Sequence, residues 1–230
     1  MSRIVVVTGG TRGIGAAVAA RFQAAGDQVH APGRADCDVT DEAAVARYFE
    51  ALGPVDVLVN NAGISASAPL AKTSLDQWRT QIDVNATGAF LCTRAVLPGM
   101  RARDTGRIVT VASTASHIGY RYTAGYTASK HAAVGLMRAT AAEVTGTGVT
   151  ANAVCPAFVR TDMTAASVAR IRERTGRDEA DAEAALAAAS PLGRLLEPDE
   201  VAHAVAFFAA LEAAAINGQT LVLDGGGIQS

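Results

Sequence analysis

Long apolar runs are missing from this sequence. Half of its 230 residues are apolar, yet no uninterrupted stretch is long enough to span a bilayer, so no membrane partner is expected. Charge imbalance is missing as well. Lys and Arg total 20 against 22 Asp and Glu, and no basic run resembles a nucleic-acid patch, so nucleic acid is not expected either. Cysteine is scarce: Cys37, Cys92 and Cys155 are odd in number and far apart, and form neither a zinc pattern nor a disulfide framework. His30, His117, His131 and His203 make no ligand cluster by spacing, so no metal is expected. This cysteine usage fits a reducing cytoplasm. The first seven residues read as a short apolar strand, not as a charged start followed by a cleavage site. What remains is a length that suits one large α/β domain over residues 1–230, with a substantial core.

The run Ile4-Val5-Val6-Val7 suits a strand buried on both faces of a parallel sheet. It leads directly into Thr8-Gly9-Gly10-Thr11-Arg12-Gly13-Ile14-Gly15, and an amphipathic helix follows, with Gly26 as its stop. Strand, glycine turn and helix together aim free backbone N–H groups at a phosphate. Gly9 permits the tight turn, Gly13 lets the backbone approach a pyrophosphate, and Gly15 lets the helix pack against the sheet.

Residues 27–34 read as the second strand and its exit. An acid at that exit would bind the ribose 2′-hydroxyl of NAD, whereas an arginine would accept the 2′-phosphate of NADP. The exit carries Arg34 and no acid, and Arg12 adds a second cation, which favours NADP(H). Asp36 and Asp38 follow at once, and either of them reaching the ribose would favour NAD(H), so both cofactors stay open. Thr40-Asp-Glu predicts the start of a helix running to about residue 52. The strand Val55-Asp-Val-Leu-Val59 ends in Asn60-Asn61-Ala62-Gly63, small and polar residues of the kind found where an open α/β sheet binds its ligand.

Farther along, Tyr126 and Lys130 stand four apart, which on a helix places them on one face. A phenol normally titrates near ~10, and an adjacent lysine cation lowers that value. The pair is chemically suited to passing a proton to a carbonyl oxygen or taking one from an alcohol.

In this order, the motifs resemble the short-chain dehydrogenase/reductase family over nearly the whole chain. Thr8-Gly-x-x-x-Gly-x-Gly15 is similar to its nucleotide turn, Asp38-Val39 to its adenine-side pair, and Asn60-Asn-Ala-Gly63 to its sheet-stabilising motif. The resemblance implies a doubly wound, mainly parallel Rossmann sheet and a catalytic set of Asn85, Ser113, Tyr126 and Lys130. In that set Ser113 holds the substrate oxygen and Tyr126 passes the proton. Lys130 tunes the phenol and binds ribose, and Asn85 holds a water linking Lys130 to solvent. Gly9, Thr11, Arg12, Gly13, Ile14, Gly15, Arg34, Asp38, Val39, Asn61, Ala62, Gly63, Tyr126, Lys130, Pro156, Val159 and Thr161 are the implied cofactor contacts.

Two departures stand out. The family usually carries a helix between the second strand and Asp38, and here only Ala35-Asp36-Cys37 separates Arg34 from Asp38. Pro156 is followed by Ala157 where the family usually has glycine, which fits if that backbone keeps negative φ. Residues 161–196 correspond to the family's substrate lid, and Arg170, Arg172, Arg174 and Arg177 precede its acidic, alanine-rich half. Tyr120 and Tyr122 are candidate pocket residues. The implied activity is reversible reduction of a ketone to a secondary alcohol, on a 3-oxoacyl thioester or a small 3-oxo compound. NAD-dependent oxidation of a 3-hydroxy acid or cyclic alcohol is the alternative, and a non-catalytic nucleotide-binding regulator is a further one. The resemblance also implies a homodimer or homotetramer built on the long helices at about 75–102 and 126–145.

Overall fold

Short valine-rich runs become the strands of one parallel sheet in the computed structural model, which describes residues 2–229. Met1 and Ser230, the ends of the expected domain, lie outside the described residues. The strands are β1 (Ile4–Val7), β2 (Gln28–His30), β3 (Val57–Asn60), β4 (Gly106–Val111), β5 (Val149–Pro156) and β6 (Thr220–Leu223). Their order is β2-β1-β3-β4-β5-β6, and every pairing is parallel. All residues of β3, β4 and β5 are buried, as continuous apolar runs covered on both faces require.

The described residues form eight α-helices: α1 (Gly13–Ala24), α2 (Glu42–Leu52), α3 (Leu75–Ile82), α4 (Gly88–Ala102), α5 (Ala124–Glu143), α6 (Asp162–Thr175), α7 (Glu179–Ala187) and α8 (Pro198–Ala209). On one face Val45 and Phe49 of α2, Val96 and Met100 of α4 and Met137 of α5 pack with Leu58 and Ile108. On the other, Val18 and Phe22 of α1 meet Val201, Val205 and Phe208 of α8 over Val5, Val57 and Val109. Each such side chain contributes roughly 1.5–3 kcal/mol on burial. Because β1 lies between β2 and β3, the order of winding reverses there, and the carboxyl ends of β1 and β3 are where an open α/β sheet binds its ligand.

Several local details differ from the sequence expectations. The second strand is three residues long, because Pro32 has no N–H to give a ladder. The Pro32 carbonyl instead accepts from the N–H groups of Gly9 (3.0 Å) and Gly10 (3.4 Å) and so holds the glycine turn. Residues 31–41 then run from this edge strand straight into α2, without an intervening helix. Asp41, not Thr40, caps α2 by accepting from Ala44 N–H at 3.0 Å. The rod expected at 75–102 is continuous, but Asp83–Thr87 form a wide π-turn between α3 and α4, with Asn85 at its centre.

Candidate active site

The glycine turn ends in an α1 whose first residues lack any side-chain cap, since Arg12 precedes it in extended conformation. The N–H groups of that first turn therefore have no intrahelical partner and stand ready for an anion. Gly9 (φ 62°) and Gly13 (φ 53°) adopt left-handed backbone that a side chain would strain. The turn is braced from β3. Asn61 Nδ2 donates to the carbonyls of Thr8 (2.9 Å) and Gly9 (3.1 Å), and the Thr8 hydroxyl accepts from Asn61 and Ala62 N–H at 3.0 and 3.1 Å. From the far side the Thr161 methyl packs on Gly13. This cradle, narrow at every glycine and open at a helix N-terminus, fits a dinucleotide pyrophosphate. Thr8 escaped the sequence reading as a functional residue. Its signal was its place at the strand end, directly before Gly9.

At the adenosine end, Arg34 is 87% exposed and pairs through Nε with Asp38 at 3.0 Å. The other Asp38 oxygen accepts from Thr40 N–H (3.0 Å) and Thr40 Oγ1 (2.7 Å). Those bonds, the hydroxyl first, hold the Asp38 carboxyl below the usual carboxylate range, with Arg34 adding to them. Asp36 accepts from Gly33 N–H at 2.9 Å. Both acids named as ribose readers are thus engaged within the loop. Val39 is buried and packs on Gly88 of α4. Arg12 lies 3.8 Å from Asp162, the first residue of α6.

Ser113 follows β4, and Tyr126 and Lys130 share the first turns of α5. The Ser113 Oγ accepts from Ala115 N–H at 3.1 Å, and its side chain also meets the Tyr126 phenol. Lys130 is 6% exposed, and its Nζ donates to the Val111 carbonyl at 2.9 Å and lies 5.8 Å from the Tyr126 ring centroid. Burial depresses Lys130 to about 8. Burial also raises the Tyr126 phenol. The Ser113 side chain draws it partly back, and Tyr120 adds a smaller upward push. Desolvation is thus the leading influence on the phenol. Tyr120 donates to Thr114 Oγ1 at 2.9 Å and meets Phe158 edge-on at 6.3 Å, forming an aromatic wall beside Tyr126. Tyr122 is half exposed at φ 68°, with its carbonyl held by Ala68 N–H at 2.9 Å.

The Asn85 side-chain amide is engaged within the protein. Its Oδ1 accepts from Ile64 N–H (2.8 Å), while Nδ2 donates to the Ile64 carbonyl (2.9 Å) and to Ser129 Oγ (2.8 Å). Ser129, fully buried, in turn donates to the Tyr126 carbonyl at 2.8 Å. Ser129 was passed over in the sequence, although it sits inside the Tyr126-x-x-x-Lys130 motif. Pro156 ends β5, and Ala157 is not among the residues with positive φ, so alanine fits there. Val159 bridges to Leu196 across the neck of residues 161–196, and Thr161 caps α6. No helix among the described residues is long and apolar enough to cross a membrane.

A glycine turn at the sheet's switch point, with Ser113 after β4 and Tyr126 and Lys130 at the start of α5, is an arrangement suited to a nicotinamide-dependent oxidoreductase. The comparisons agree. The profile of the family described as Enoyl-(Acyl carrier protein) reductase matches residues 27–227. Acetoacetyl-CoA reductase of Shinella zoogloeoides is 39% identical over 247 aligned positions, covering 98% of both chains. The 3-oxoacyl-[acyl-carrier-protein] reductase MabA of Mycobacterium tuberculosis is 38% identical over 240 positions, covering 98% of this chain and 93% of its own. A variant of actinorhodin polyketide ketoreductase, solved with NADPH, superposes with a TM-score of 0.89 at 34% identity, covering 98% of this chain and 97% of the other. The chain belongs to the short-chain dehydrogenase/reductase family.

Proposed function

We propose that the protein reduces the 3-keto group of a 3-oxoacyl thioester to a secondary alcohol, with NADPH as reductant. The observation that carries this reading is the similarity over nearly the whole chain to acetoacetyl-CoA and 3-oxoacyl-[acyl-carrier-protein] reductases, with Ser113 after β4 and Tyr126 and Lys130 on the first turns of α5. A phenol can give a proton to the carbonyl oxygen, as reduction requires.

In this reading Ser113 donates its hydroxyl proton in a hydrogen bond to the substrate carbonyl oxygen. Tyr126 transfers its proton to that oxygen as the carbonyl carbon is reduced. Lys130, still mostly protonated at neutral pH, stabilises the phenolate left behind. Asn85 acts as a positioning residue that ties the loop at Ile64 to the helix bearing Tyr126. When bound, NADPH supplies the hydride. Gly9, Thr11, Gly13, Ile14 and Gly15 would hold its pyrophosphate, and Arg12 and Arg34 would hold the 2′-phosphate. Engagement of Asp36 and Asp38 within the loop supports NADP(H) over NAD(H).

The thioester is inferred from the acetoacetyl-CoA and acyl-carrier-protein reductases among the relatives. Residues 161–196 serve as the lid over this substrate. Leu75, Trp78 and Phe90 on α3 and α4 are exposed apolar residues, which supports a homodimer or homotetramer through those helices in a cytoplasmic setting. Loss of nicotinamide absorbance with acetoacetyl-CoA tests the activity, run beside the reverse assay with 3-hydroxybutyrate and cyclic alcohols. Turnover of the alcohols alone would overturn the thioester reading. Sedimentation measures the assembly.

A further inference from the structure

We infer that Arg160 is a positioning residue that latches the lid over the thioester, by holding α7 to the neck from which residues 161–196 spring. The inference rests on the reading of those residues as the substrate lid given above.

The neck itself is fastened by main chain. Val159 bridges to Leu196 in parallel, Leu196 N–H donates to the Phe158 carbonyl at 2.9 Å, and Arg160 N–H donates to the Leu196 carbonyl at 2.8 Å. The Arg160 side chain is therefore not needed to close the neck, and it reaches in two other directions. Its Nε donates to Glu197 Oε1 at 3.0 Å, directly before α8, and its Nη1 donates to Glu183 Oε1 at 2.9 Å, in the middle of α7. Glu197 is held in turn, because its N–H donates to Glu200 Oε2 at 2.8 Å, and Glu200 accepts from Arg194 at 2.7 and 2.8 Å. One guanidinium thus joins the lid to the body of the fold.

Little else holds α7. Its buried residues are Ala182 and Ala187, and an alanine side chain buries little apolar area. Arg172 pairs with Glu179 at 3.3 Å, but both belong to the lid. Among the described residues, Arg160–Glu183 is the one side-chain hydrogen bond from α7 to residues outside 161–196. Solvent screens this exposed pair and makes it weak, yet it weighs more where so little apolar area competes with it. The neighbours of Arg160 give the latch a consequence for the site. Phe158 meets Tyr120 in the aromatic wall beside Tyr126, and the Thr161 methyl packs on Gly13 of the glycine turn. Holding α7 at Arg160 therefore fixes the lid relative to both halves of the site.

The experiment follows α7 and turnover separately, in the intact protein and in Arg160→Met, Glu183→Ala and the Arg160→Met/Glu183→Ala double variant. Elastase, which cuts after small residues, probes α7 directly. At low salt, cleavage within α7 is expected to be about threefold faster in each single variant. Alanine is the better helix former, so faster cleavage in Glu183→Ala reports release of α7 and not loss of its helix. That variant also keeps the test alive if Arg160→Met does not fold. KM for acetoacetyl-CoA is expected to rise by a similar factor while kcat and the denaturant midpoint change little, a split that a merely structural role would not give. The double variant is expected to match the singles, and the differences from the parent protein are expected to close at about 1 M salt, where screening acts within ~3 Å. Unchanged cleavage in both single variants overturns the inference, as does an additive loss in the double variant or a gap that persists at high salt. Faster cleavage with an unchanged KM would mean that the reading of residues 161–196 as the substrate lid is what fails.

Discussion

Asn85 and Ser129 are joined by a 2.8 Å hydrogen bond that links the π-turn between α3 and α4 to the helix carrying Tyr126 and Lys130. Both residues are buried, so the Asn85 amide has no water to fall back on if the serine hydroxyl is removed. Ser129→Ala is expected to cost about 1–3 kcal/mol of stability, read as a shift in the denaturant midpoint at constant slope. Turnover is expected to fall roughly tenfold or more, since the tyrosine's helix loses its tie to the opposing loop. An unchanged midpoint would mean that the amide finds another partner and that the bond is incidental.

Tyr126→Phe removes the phenolic oxygen alone. Turnover is expected to drop by about 10²–10⁴-fold, the usual weight of a positioned acid, while NADPH still quenches or enhances fluorescence as in the parent protein. Near-normal turnover in steady-state assays would refute the role given to this residue.

The parts of the fold that the sequence makes legible share a physical reason. Residues 4–7 and 57–59 are apolar throughout and, except for Leu58, β-branched, and such runs suit a strand covered on both faces. The glycine turn is legible because positive φ at Gly9 and Gly13 leaves a compositional mark. The π-turn at Asn85 leaves none, because a wider hydrogen-bond ring needs no special residue. The commitment of Asp36 and Asp38 is equally hidden. It depends on how residues 31–41 fold once the family's usual helix is gone. The raised pKa of the Tyr126 phenol is hidden for a related reason: spacing places the lysine beside the phenol but does not say how dry the site is.

Lys130 gives a pH dependence of definite sign. Its folded value, about 8, lies below the ordinary 10.5, so between those values the unfolded chain binds more protons than the folded one. The cost of the buried cation is therefore present in full below pH 8 and is relieved as pH rises towards 10.5. Full relief corresponds to about 3 kcal/mol. Lys130→Met lacks this term. The stability of the parent protein relative to Lys130→Met is expected to improve steadily over that window, as measured by parallel denaturant titrations. A gap that stays constant with pH would show that Lys130 is not desolvated as described.

Gly15 tests the cradle without touching the reacting groups. A Cβ at this position would lie 2.4 Å from the Gly9 carbonyl oxygen and 2.5 Å from Asn61 Nδ2, the two atoms that brace the turn. Neither is the loose end of a flexible chain, so Gly15→Ala must spread the turn away from β3. The expected cost is about 1–3 kcal/mol of stability. NADPH and NADH should lose affinity to the same degree, because the pyrophosphate is common to both. That equal loss distinguishes damage here from damage at Arg34, which should fall on NADPH alone. Gly119→Ala is the matched control: nothing lies within 4 Å of its Cβ position and its φ is not positive, so stability should stay within about 0.5 kcal/mol and cofactor affinity should be retained. If Gly15→Ala behaves like Gly119→Ala in both titrations, the close packing of α1 against the turn does not support the phosphate site.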